Sequence, residues 1–346
     1  MRHIGLDVHQ RETKLCWIHG ATGEVGNRAT VPTAQVVDAV RALPGPRCVV
    51  LETGGQSWFL AGMLQSLPET EVFVVDAFQA RRALEGMHRG KKTDKWDAYG
   101  LAKLSLQGRA AAMAVWLADL PTQQLRTLVR TRAALVQQTT ALQNQLRALL
   151  RAAGLRVPGS DLMGRQAQQD LDALLPLLPP ISVLCGEQLR RSLHFGKAQI
   201  HALEQELTTL ARAHPACQRL MTLPGCGVIL AATIVAEIGS ISRFRQAKHL
   251  RSYAGLTPAI CQSGERSHQG PLRRGHRGLK YALVLLAQHF AWHRGFADTG
   301  LKQAYYRCLH RHGPTPAKVA LARHLCDVIF AMLRDGTDFT PQPRVA

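Results

Sequence analysis

The sequence predicts an α/β domain at residues 1–110, a helical coiled-coil region at 111–215 and a mainly α-helical domain at 216–346. Three observations support this division. Short apolar runs of strand length alternate with helical spacing in the first region. Leucines recur every seven residues in the second, and a proline–glycine turn leads into apolar helices in the third. A chain of 346 residues is long enough for two or three domains with cores of their own.

The composition is that of a globular protein with a polyanionic partner. The chain is 46% hydrophobic and 19% charged, and 43 Lys and Arg against 24 Asp and Glu give a formal charge of +19. A field of that sign favours nucleic acid. Because we find no apolar run of membrane-spanning length and no signal peptide, we expect no membrane partner and a cytoplasmic, nucleoid-associated protein. Eight cysteines without a Cys-x-x-Cys pair disfavour a zinc site and a disulfide scaffold.

In the first region, apolar runs bounded by turn residues alternate with segments of helical spacing. Pro44-Gly45-Pro46 ends the first predicted helix, and Gly54-Gly55 precedes the second. The predicted order is three hairpin-like strands followed by helix, strand, helix and strand. This order is expected of an RNase H-like (RuvC-like) fold. Strands are predicted at 4–7, 13–19, 25–31, 48–52 and 71–76, and helices at 33–43 and 56–67.

Four acids stand where such a fold would gather them. Asp7 and Glu52 end predicted strands, and Asp94 and Asp97 lie about a turn apart on one face of a predicted helix. Neighbouring carboxylates repel each other, and a divalent cation such as Mg²⁺ or Mn²⁺ would remove that conflict. Two such ions about 4 Å apart can activate a nucleophile and stabilise the leaving oxygen of a phosphodiester. The sequence therefore predicts a metal-dependent D-E-D-D site.

Each acid also has a structural interpretation. Asp7 could simply end a strand, Glu52 could cap the following helix, and the aspartate pair could favour the positive end of a helix dipole. Asp76 is a rival ligand because it also ends a strand. The lysines around the aspartate pair would suit a phosphate backbone. They are Lys91, Lys92 and Lys95.

The second region carries a heptad pattern that predicts a helix of some thirty residues. One row is Leu128, Leu135, Leu142 and Leu149, and its companion is Leu125, Arg132, Thr139 and Leu146. Residues 158–180 interrupt the pattern, and helical spacing resumes at Ile200. We interpret this as a long helical hairpin or coiled coil that bridges protomers, with a plain two-helix packing against the core as an equal alternative. Exposed arginines could contact nucleic acid or form a solvated face; they are Arg126, Arg130, Arg147 and Arg151.

The third region opens with Leu223-Pro224-Gly225-Cys226-Gly227, a helix-hairpin-helix pattern. Gly225 and Gly227 would let the backbone turn sharply, and amides at the new helix start could hold a phosphate. A glycine turn between two core helices is the alternative. Downstream, Arg243 lies on the polar side of a predicted helical segment.

Ser263 precedes a glycine in what reads as a flexible loop, and basic residues follow it. Such a serine could attack a phosphodiester while arginines stabilise the charge that develops. Taken alone the pattern is weak, since most such serines are turn residues. Ser267 is a rival nucleophile and Cys261 a more distant one. The arginines are Arg266, Arg273, Arg274 and Arg277.

Three motif blocks resemble one family: Gly5-Leu6-Asp7-Val8-His9, Glu52-Thr53-Gly54-Gly55 and Lys92-Thr93-Asp94-Lys95-Trp96-Asp97-Ala98. They resemble insertion-sequence transposases with an N-terminal DEDD, RuvC-like domain, which are recombinases guided by a bridge RNA or seekRNA. Tyr253-Ala254-Gly255-Leu256-Thr257-Pro258, then Gln262-Ser263-Gly264, resembles that family's C-terminal domain. Gln10 departs from the usual lysine, and Glu265 and Arg266 stand where the family has a glycine and a lysine.

The resemblance implies that Ser263 is the nucleophile, activated by the metal-bound acids, and that strands are exchanged through a phosphoserine. It also implies a homodimer or homotetramer with composite sites, and an element-encoded guide RNA that pairs with target and donor DNA. Two alternatives remain. One is a RuvC-like nuclease that uses water, of the Holliday-junction type, and the other is a non-catalytic nucleic-acid-binding protein.

Overall fold

The computed structural model describes residues 1–26, 28–85, 94–159, 161–263, 266–272, 275–293 and 300–340, without the side chains of 85, 94–96, 260–263, 266–269 and 271. The chain forms two compact units, Met1–Leu117 and Ala118–Ala346. No helix within the described ranges is long and apolar enough to cross a membrane.

The first unit is built on a five-stranded sheet in the order β3-β2-β1-β4-β5. The first three strands pair antiparallel, whereas β1 with β4 and β4 with β5 pair parallel. The strands are β1 (Arg2–Val8), β2 (Glu12–His19), β3 (Ala29–Pro32), β4 (Arg47–Glu52) and β5 (Thr70–Val75). The helices are α1 (Val36–Arg41), α2 (Ser57–Gln65), α3 (Ala77–Glu85), α4 (Asp94–Leu106) and α5 (Ala110–Met113).

The two faces of this sheet bury different apolar clusters because strand side chains alternate. Ile4 and Leu51 belong to a cluster with residues of α1 and α2. Val50 belongs to the other cluster, with Leu101 and Leu104 of α4. The sheet is therefore covered on both sides, and α4 lies on the face opposite α1 and α2.

The predicted α/β class of this unit is confirmed, with three corrections to its elements. The predicted strand 25–31 begins later, at Ala29, and Val25 forms only an isolated bridge to Ile18. The predicted helix 33–43 is a 3₁₀ turn followed by the short α1. Helix α3 was not predicted. Its N-terminus is capped by Asp76, whose Oδ1 accepts a hydrogen bond of 2.9 Å from the backbone amide of Gln79.

The second unit begins with a long antiparallel helix pair, α6 (Leu120–Ala152) and α8 (Pro180–Ala213), with α7 (Arg165–Leu174) between them. Three contacts set the register of this pair. Arg132 binds Glu204, Gly196 faces Thr139, and Gly186 faces Leu149. A Cβ at Gly196 would come within 2.6 Å of the Thr139 methyl carbon, so the glycine allows the helices to approach closely.

The heptad rows explain how the pair packs. The row with two polar members is the more buried, because Leu125, Thr139 and Leu146 are inside, whereas the leucines of its companion row are only half-buried. The hydroxyl of Thr139 donates to the carbonyl oxygens of Leu135 and Val136, each at 3.0 Å, so it is satisfied within its own helix. The helix after the interruption begins at Pro180 rather than near Ile200. The bridging of protomers by this pair stays a prediction.

The rest of the second unit is mainly helical. Its helices are α9 (Pro215–Met221), α10 (Val228–Ile238), α11 (Ala247–Tyr253), α12 (Arg277–Trp292), α13 (Gly300–His312) and α14 (Pro314–Asp335). Leu125 and Leu207 from the near ends of α6 and α8 share the core of these helices with Leu286 of α12. Compactness alone therefore does not separate 111–215 from 216–346, and the three-domain division stays a prediction.

One feature of the second unit corrects the expected flexible loop. Strands β6 (Pro258–Ser263) and β7 (Arg266–Leu272) pair antiparallel, with Pro258 opposite Leu272 and Ser263 opposite Arg266. We call this the serine hairpin. Its sequence lacks an alternating apolar face and contains Pro258, Gly270 and Pro271, and therefore no strand was predicted there.

Candidate active site and nucleic-acid interface

Asp7, one residue before the end of β1, and Glu52, the last residue of β4, lie near the carboxyl ends of neighbouring parallel strands and share one face of the sheet. The pair Leu6 and Leu51 is in register, so each acid follows its paired leucine by one residue. Side-chain alternation then places Asp7 with Gly5, and Glu52 with Val50. Val50 packs with residues of α4. Both carboxylates therefore lie on the sheet face that α4 covers.

Helix α4 brings Asp97 to the same face. A Cβ at Gly5 would be 2.0 Å from the carbonyl oxygen of Ala98, so the helix backbone lies directly on β1 beside Asp97. Asp97 itself is half-buried. Asp94 is the first residue of α4, but its side chain and that of Lys95 lie outside the described set, and Lys91 and Lys92 lie outside the described residues.

No group of three His, Cys, Asp or Glu side chains that could hold a metal ion is present among those the structure describes. Asp7, Glu52 and Asp97 are among the side chains so tested, whereas Asp94 is not. The donor set nevertheless has the right chemistry, because Asp7, Glu52 and Asp97 offer hard carboxylate oxygens from one face. The four-carboxylate metal site remains a prediction.

Two residues beside Asp7 were missed by the sequence reasoning. The Nε2 atom of His9 lies 3.1 Å from Oδ2 of Asp7, an ion pair whenever the ring is protonated. Lys14 is the cross-strand partner of Asp7 on β2, and its Nζ donates to the hydroxyl of Thr30 at 3.0 Å. The Asp-x-His spacing on a strand could have revealed the first contact, since residues i and i+2 share a face.

The rival ligand Asp76 has the structural role described above, because its carboxylate caps α3. That role explains its position at the end of β5 without a metal. Asp76 therefore stays outside the candidate set.

The serine hairpin carries the candidate nucleophiles of the second unit. Ser263 is the last residue of β6, Ser267 lies on β7, and Cys261 is two residues before Ser263. Their side chains, and that of Arg266, are outside the described set, and Arg273 and Arg274 are outside the described residues. Arg277 is exposed at the first turn of α12, just beyond the hairpin. The choice among these nucleophiles stays a prediction.

The glycine turn joins α9 to α10, as the helix-hairpin-helix pattern predicts. Gly225 has φ of +81°, and a Cβ there would come within 2.7 Å of the Cβ of His289 on α12, so this position needs glycine and faces the core. Gly227 is the N-cap of α10 and has open space around it. A groove of about 1020 Å³ runs beside the turn, between α6, α10 and α12.

Two arginines predicted to be exposed have partners within the protein: Arg126 is mostly buried, whereas Arg130 is 55% exposed as predicted. The side chain of Arg126 is only 13% exposed, and its Nε donates to the carbonyl oxygen of Ala236 at 2.7 Å. Arg130 binds the carboxylate of Glu237 through two hydrogen bonds of 2.9 and 2.7 Å. The guanidinium of Arg243 lies over the rings of Phe244 and Tyr253, 4.5 and 4.4 Å from their centroids. These arginines stabilise the fold, and contact of Arg243 with nucleic acid stays a prediction.

The buried thiols of this unit are structural. Burial raises the pKa of Cys217, Cys226 and Cys326 to about 12, so each is a neutral thiol at neutral pH. The cysteines whose side chains the structure describes are all free.

Comparison with known proteins places the chain among transposases. Residues 217–305 match the "Transposase IS116/IS110/IS902 family", and residues 4–154 match a transposase family of the DEDD, IS110 type. The transposase for insertion sequence element IS1111A of Coxiella burnetii is 28% identical over 341 residues, 95% of this chain and 89% of that protein. A probable family 20 transposase of Pseudomonas aeruginosa is 26% identical over 349 residues, 99% of each chain. The pilin gene-inverting protein of Moraxella bovis is 29% identical over 143 residues, 40% of this chain and 43% of that protein.

The α/β unit carries acids near its strand ends, and the helical unit that follows matches a second transposase family. Together they define a DNA transposase. The chain belongs to the IS110-type DEDD transposases of insertion sequences. The family resemblance of the motifs is thereby confirmed. Membership implies DNA as the substrate and a divalent metal in the DEDD domain.

Proposed function

We propose that this transposase is an RNA-guided recombinase in which a RuvC-like DEDD site and Ser263 together exchange DNA strands. The observation that supports the proposal is that Asp7 and Glu52 share the sheet face that α4, the helix of Asp97, covers, with the order β3-β2-β1-β4-β5 expected of an RNase H-like domain. Asp94 completes the proposed set. The ion would be Mg²⁺ or Mn²⁺, since carboxylate oxygens suit both.

A divalent ion held by these carboxylates would lower the barrier by offsetting charge on the phosphodiester. The protein's own part is the nucleophile. The Oγ of Ser263 bonds to phosphorus as the bond from phosphorus to one deoxyribose oxygen breaks, and that oxygen leaves as a hydroxyl. A hydroxyl of a second strand then attacks the phosphoserine and releases the serine. The exchange needs no other energy source, because each step breaks one ester bond and makes one.

The name of one relative favours recombination over plain cleavage. The Moraxella bovis protein that shares 29% identity with this chain is a pilin gene-inverting protein. Inverting a gene requires that cut strands be rejoined to new partners. A covalent serine intermediate would keep the strand ends attached during such an exchange.

The partners follow from the charge and the family. The net charge of +19 suits a polyanion, and we propose target DNA, donor DNA and an element-encoded guide RNA that selects both by base pairing. The antiparallel pair of α6 and α8 would bridge protomers in a homodimer or homotetramer. The remaining basic contacts would come from Lys91, Lys92, Lys95, Arg243, Arg266, Arg273, Arg274 and Arg277, with amides near Gly225 and Gly227.

The test is capture of the covalent intermediate. Purified protein is incubated with donor DNA, guide RNA and Mg²⁺, denatured, and assayed for a protein–DNA adduct whose linked residue is identified by mass spectrometry. We expect an adduct on Ser263 that is lost in Ser263→Ala and retained in Ser267→Ala. A Ser263→Ala variant that still cleaves DNA at the wild-type rate, without adduct, would show instead a nuclease that uses water.

A further inference from the structure

The serine hairpin leaves the helical core at two points that lie side by side. Its first strand follows Tyr253, Ala254 and Gly255, and its second strand leads to Gly275 and His276. The backbone amide of His276 donates to the carbonyl oxygen of Tyr253 at 2.8 Å. A Cβ at Gly275 would be 2.3 Å from the backbone nitrogen of Gly255, so the two chain segments touch through glycine. We call these segments the feet of the hairpin.

The rings at the two feet also stack on each other. The centroids of Tyr253 and His276 are 5.5 Å apart, and the planes differ by 26°. Tyr253 is in turn covered by the guanidinium of Arg243, 4.4 Å from its centroid. The feet are therefore held by a hydrogen bond, a ring stack and a cation–π contact.

A buried carboxylate joins the feet to the long helix α6. Glu237 on α10 is 2% exposed. It accepts two hydrogen bonds from Arg130 of α6, and its Oε2 lies 3.3 Å from Nε2 of His276. A buried carboxylate is costly unless it is paired and hydrogen-bonded; Arg130 supplies both, and Nε of Arg126 lies 3.9 Å from Oε2 of Glu237.

The tautomer of His276 follows from its second contact. Its Nδ1 accepts a hydrogen bond of 3.2 Å from the backbone amide of Leu279, which makes the ring the N-cap of α12. In the neutral ring the proton is therefore on Nε2, which points at Glu237. The Nε2 atom lies 3.3 Å from Oε2 of Glu237 and 3.4 Å from Nη2 of Arg130, so His276 contacts this ion pair and accepts from the helix at the same time.

We propose that Glu237 and His276 are positioning residues that fix the serine hairpin in a defined orientation on the helical core, so that Ser263 is presented to the DNA phosphate. The proposal rests on the proposed function of Ser263. The carboxylate is the common partner of Arg130 on α6 and His276 at the second foot. Its loss would leave the hairpin attached but free to tilt, and a misplacement of about 1 Å can lower a reaction rate about 100-fold.

A pair of substitutions at His276 separates the two roles of the ring. Asparagine places its amide where Nδ1 is, so His276→Asn keeps the cap of α12 but loses the contact with Glu237. Glutamine reaches the position of Nε2, so His276→Gln keeps the donor to Glu237. His214 is the matched control, because its Nδ1 caps α9 by accepting from the amide of Ala216 at 3.2 Å.

The experiment uses the full-length protein and two readouts. Hydrogen exchange of the amides in 258–263 and 266–272 reports on the order of the hairpin, and the rate of adduct formation reports on Ser263. We expect His276→Asn and Glu237→Gln to speed exchange about tenfold and to slow adduct formation about 100-fold, with His276→Gln close to wild type. The corresponding His214 variants should change neither readout.

The two proposals fail in different ways. If Ser263→Ala still forms the adduct, the proposed nucleophile is wrong, and the exchange readout still tests the network. If His276→Asn leaves both readouts at the wild-type level, or if His276→Gln is as impaired as His276→Asn, Glu237 does not position the hairpin. DNA binding measured on the same variants should stay unchanged, because a loss of binding would also explain slow adduct formation and would contradict a positioning role.

Discussion

Gly5 of β1 and Ala98 of α4 are in such close contact that a Cβ on Gly5 would lie 2.0 Å from the carbonyl oxygen of Ala98. This approach of helix to strand places the Asp97 backbone beside β1, the strand that carries Asp7 near its end. Backbone atoms cannot move aside as a flexible side chain can. The absence of one side chain therefore sets the depth at which α4 lies on the sheet.

We predict that Gly5→Ala displaces α4, lowers the free energy of unfolding by about 2–3 kcal/mol and reduces transposition more than stability alone would explain. Urea unfolding and a recombination assay check this. Gly62→Ala is the matched control, because Gly62 lies in α2 with nothing within 4 Å of its missing Cβ. Alanine there should leave activity unchanged and stabilise the helix by up to about 1 kcal/mol. Equal activity of Gly5→Ala and the wild type would contradict this account of the contact.

The carboxylate site predicts a difference between Asp7 and Asp76 in metal binding. Saturating Mg²⁺ or Mn²⁺ should raise the melting temperature of the wild type, since a ligand that binds only the folded state stabilises it. We expect Asp7→Asn to abolish this rise and Asp76→Asn to retain it, because Asp76 caps α3 and asparagine caps helices equally well. Differential scanning fluorimetry across a metal titration measures both. If Asp76→Asn loses the metal response and Asp7→Asn keeps it, the ligand assignment is wrong.

Much of the first unit could be read from the sequence because its strands are short apolar runs bounded by turns. These apolar runs alone were enough to predict that Asp7 and Glu52 lie at strand ends. Gly5 was not recognised as a contact, since a glycine in a strand does not say which helix approaches it. The serine hairpin was missed because neither strand alternates apolar with polar residues, and because proline and glycine interrupt both ends of its sequence pattern.

Glu237 shows a different limit of sequence reasoning. It lies in a segment that reads as a buried apolar helix, and its main partner Arg130 is 107 residues away in sequence. The arginine belongs to a helix whose charged residues read as a solvated face. Arg130 and Glu237 form an ion pair only because α6 packs against α10 in the folded protein.

The Arg130–Glu237 pair predicts non-additive stability effects. Arg130→Met leaves the buried carboxylate without its two strongest donors and should lower the free energy of unfolding by about 3 kcal/mol. The double variant Arg130→Met/Glu237→Met should recover most of that loss, because the buried carboxylate is then gone and the guanidinium of Arg126 keeps its hydrogen bond to the carbonyl oxygen of Ala236. A double-mutant cycle by urea unfolding measures the coupling. Losses that simply add would mean that the pair is not coupled.

The pKa of His276 predicts how stability changes with pH. Burial lowers this pKa below its usual 6.5, opposed by the carboxylate of Glu237 and assisted by the positive charges of Arg130, Arg126 and Arg243. Below pH 6.5 the unfolded chain therefore binds a proton at His276 that the folded chain resists. Stability from this residue is complete above pH 6.5 and is lost as the pH falls towards the lower folded-state pKa.

We therefore expect the wild type to lose more stability than His276→Gln between pH 7.5 and pH 5, a window of about two and a half units around the usual histidine pKa. Glutamine does not titrate. The difference between the free energies of unfolding of the wild type and of His276→Gln at each pH therefore excludes the other histidines. One of these is His3, whose pKa burial also lowers. Protonation would also place a second N–H on Nδ1, facing the amide of Leu279, and would disrupt the cap of α12. Identical pH dependence in the two proteins would mean that His276 is protonated in the fold as readily as in the unfolded chain.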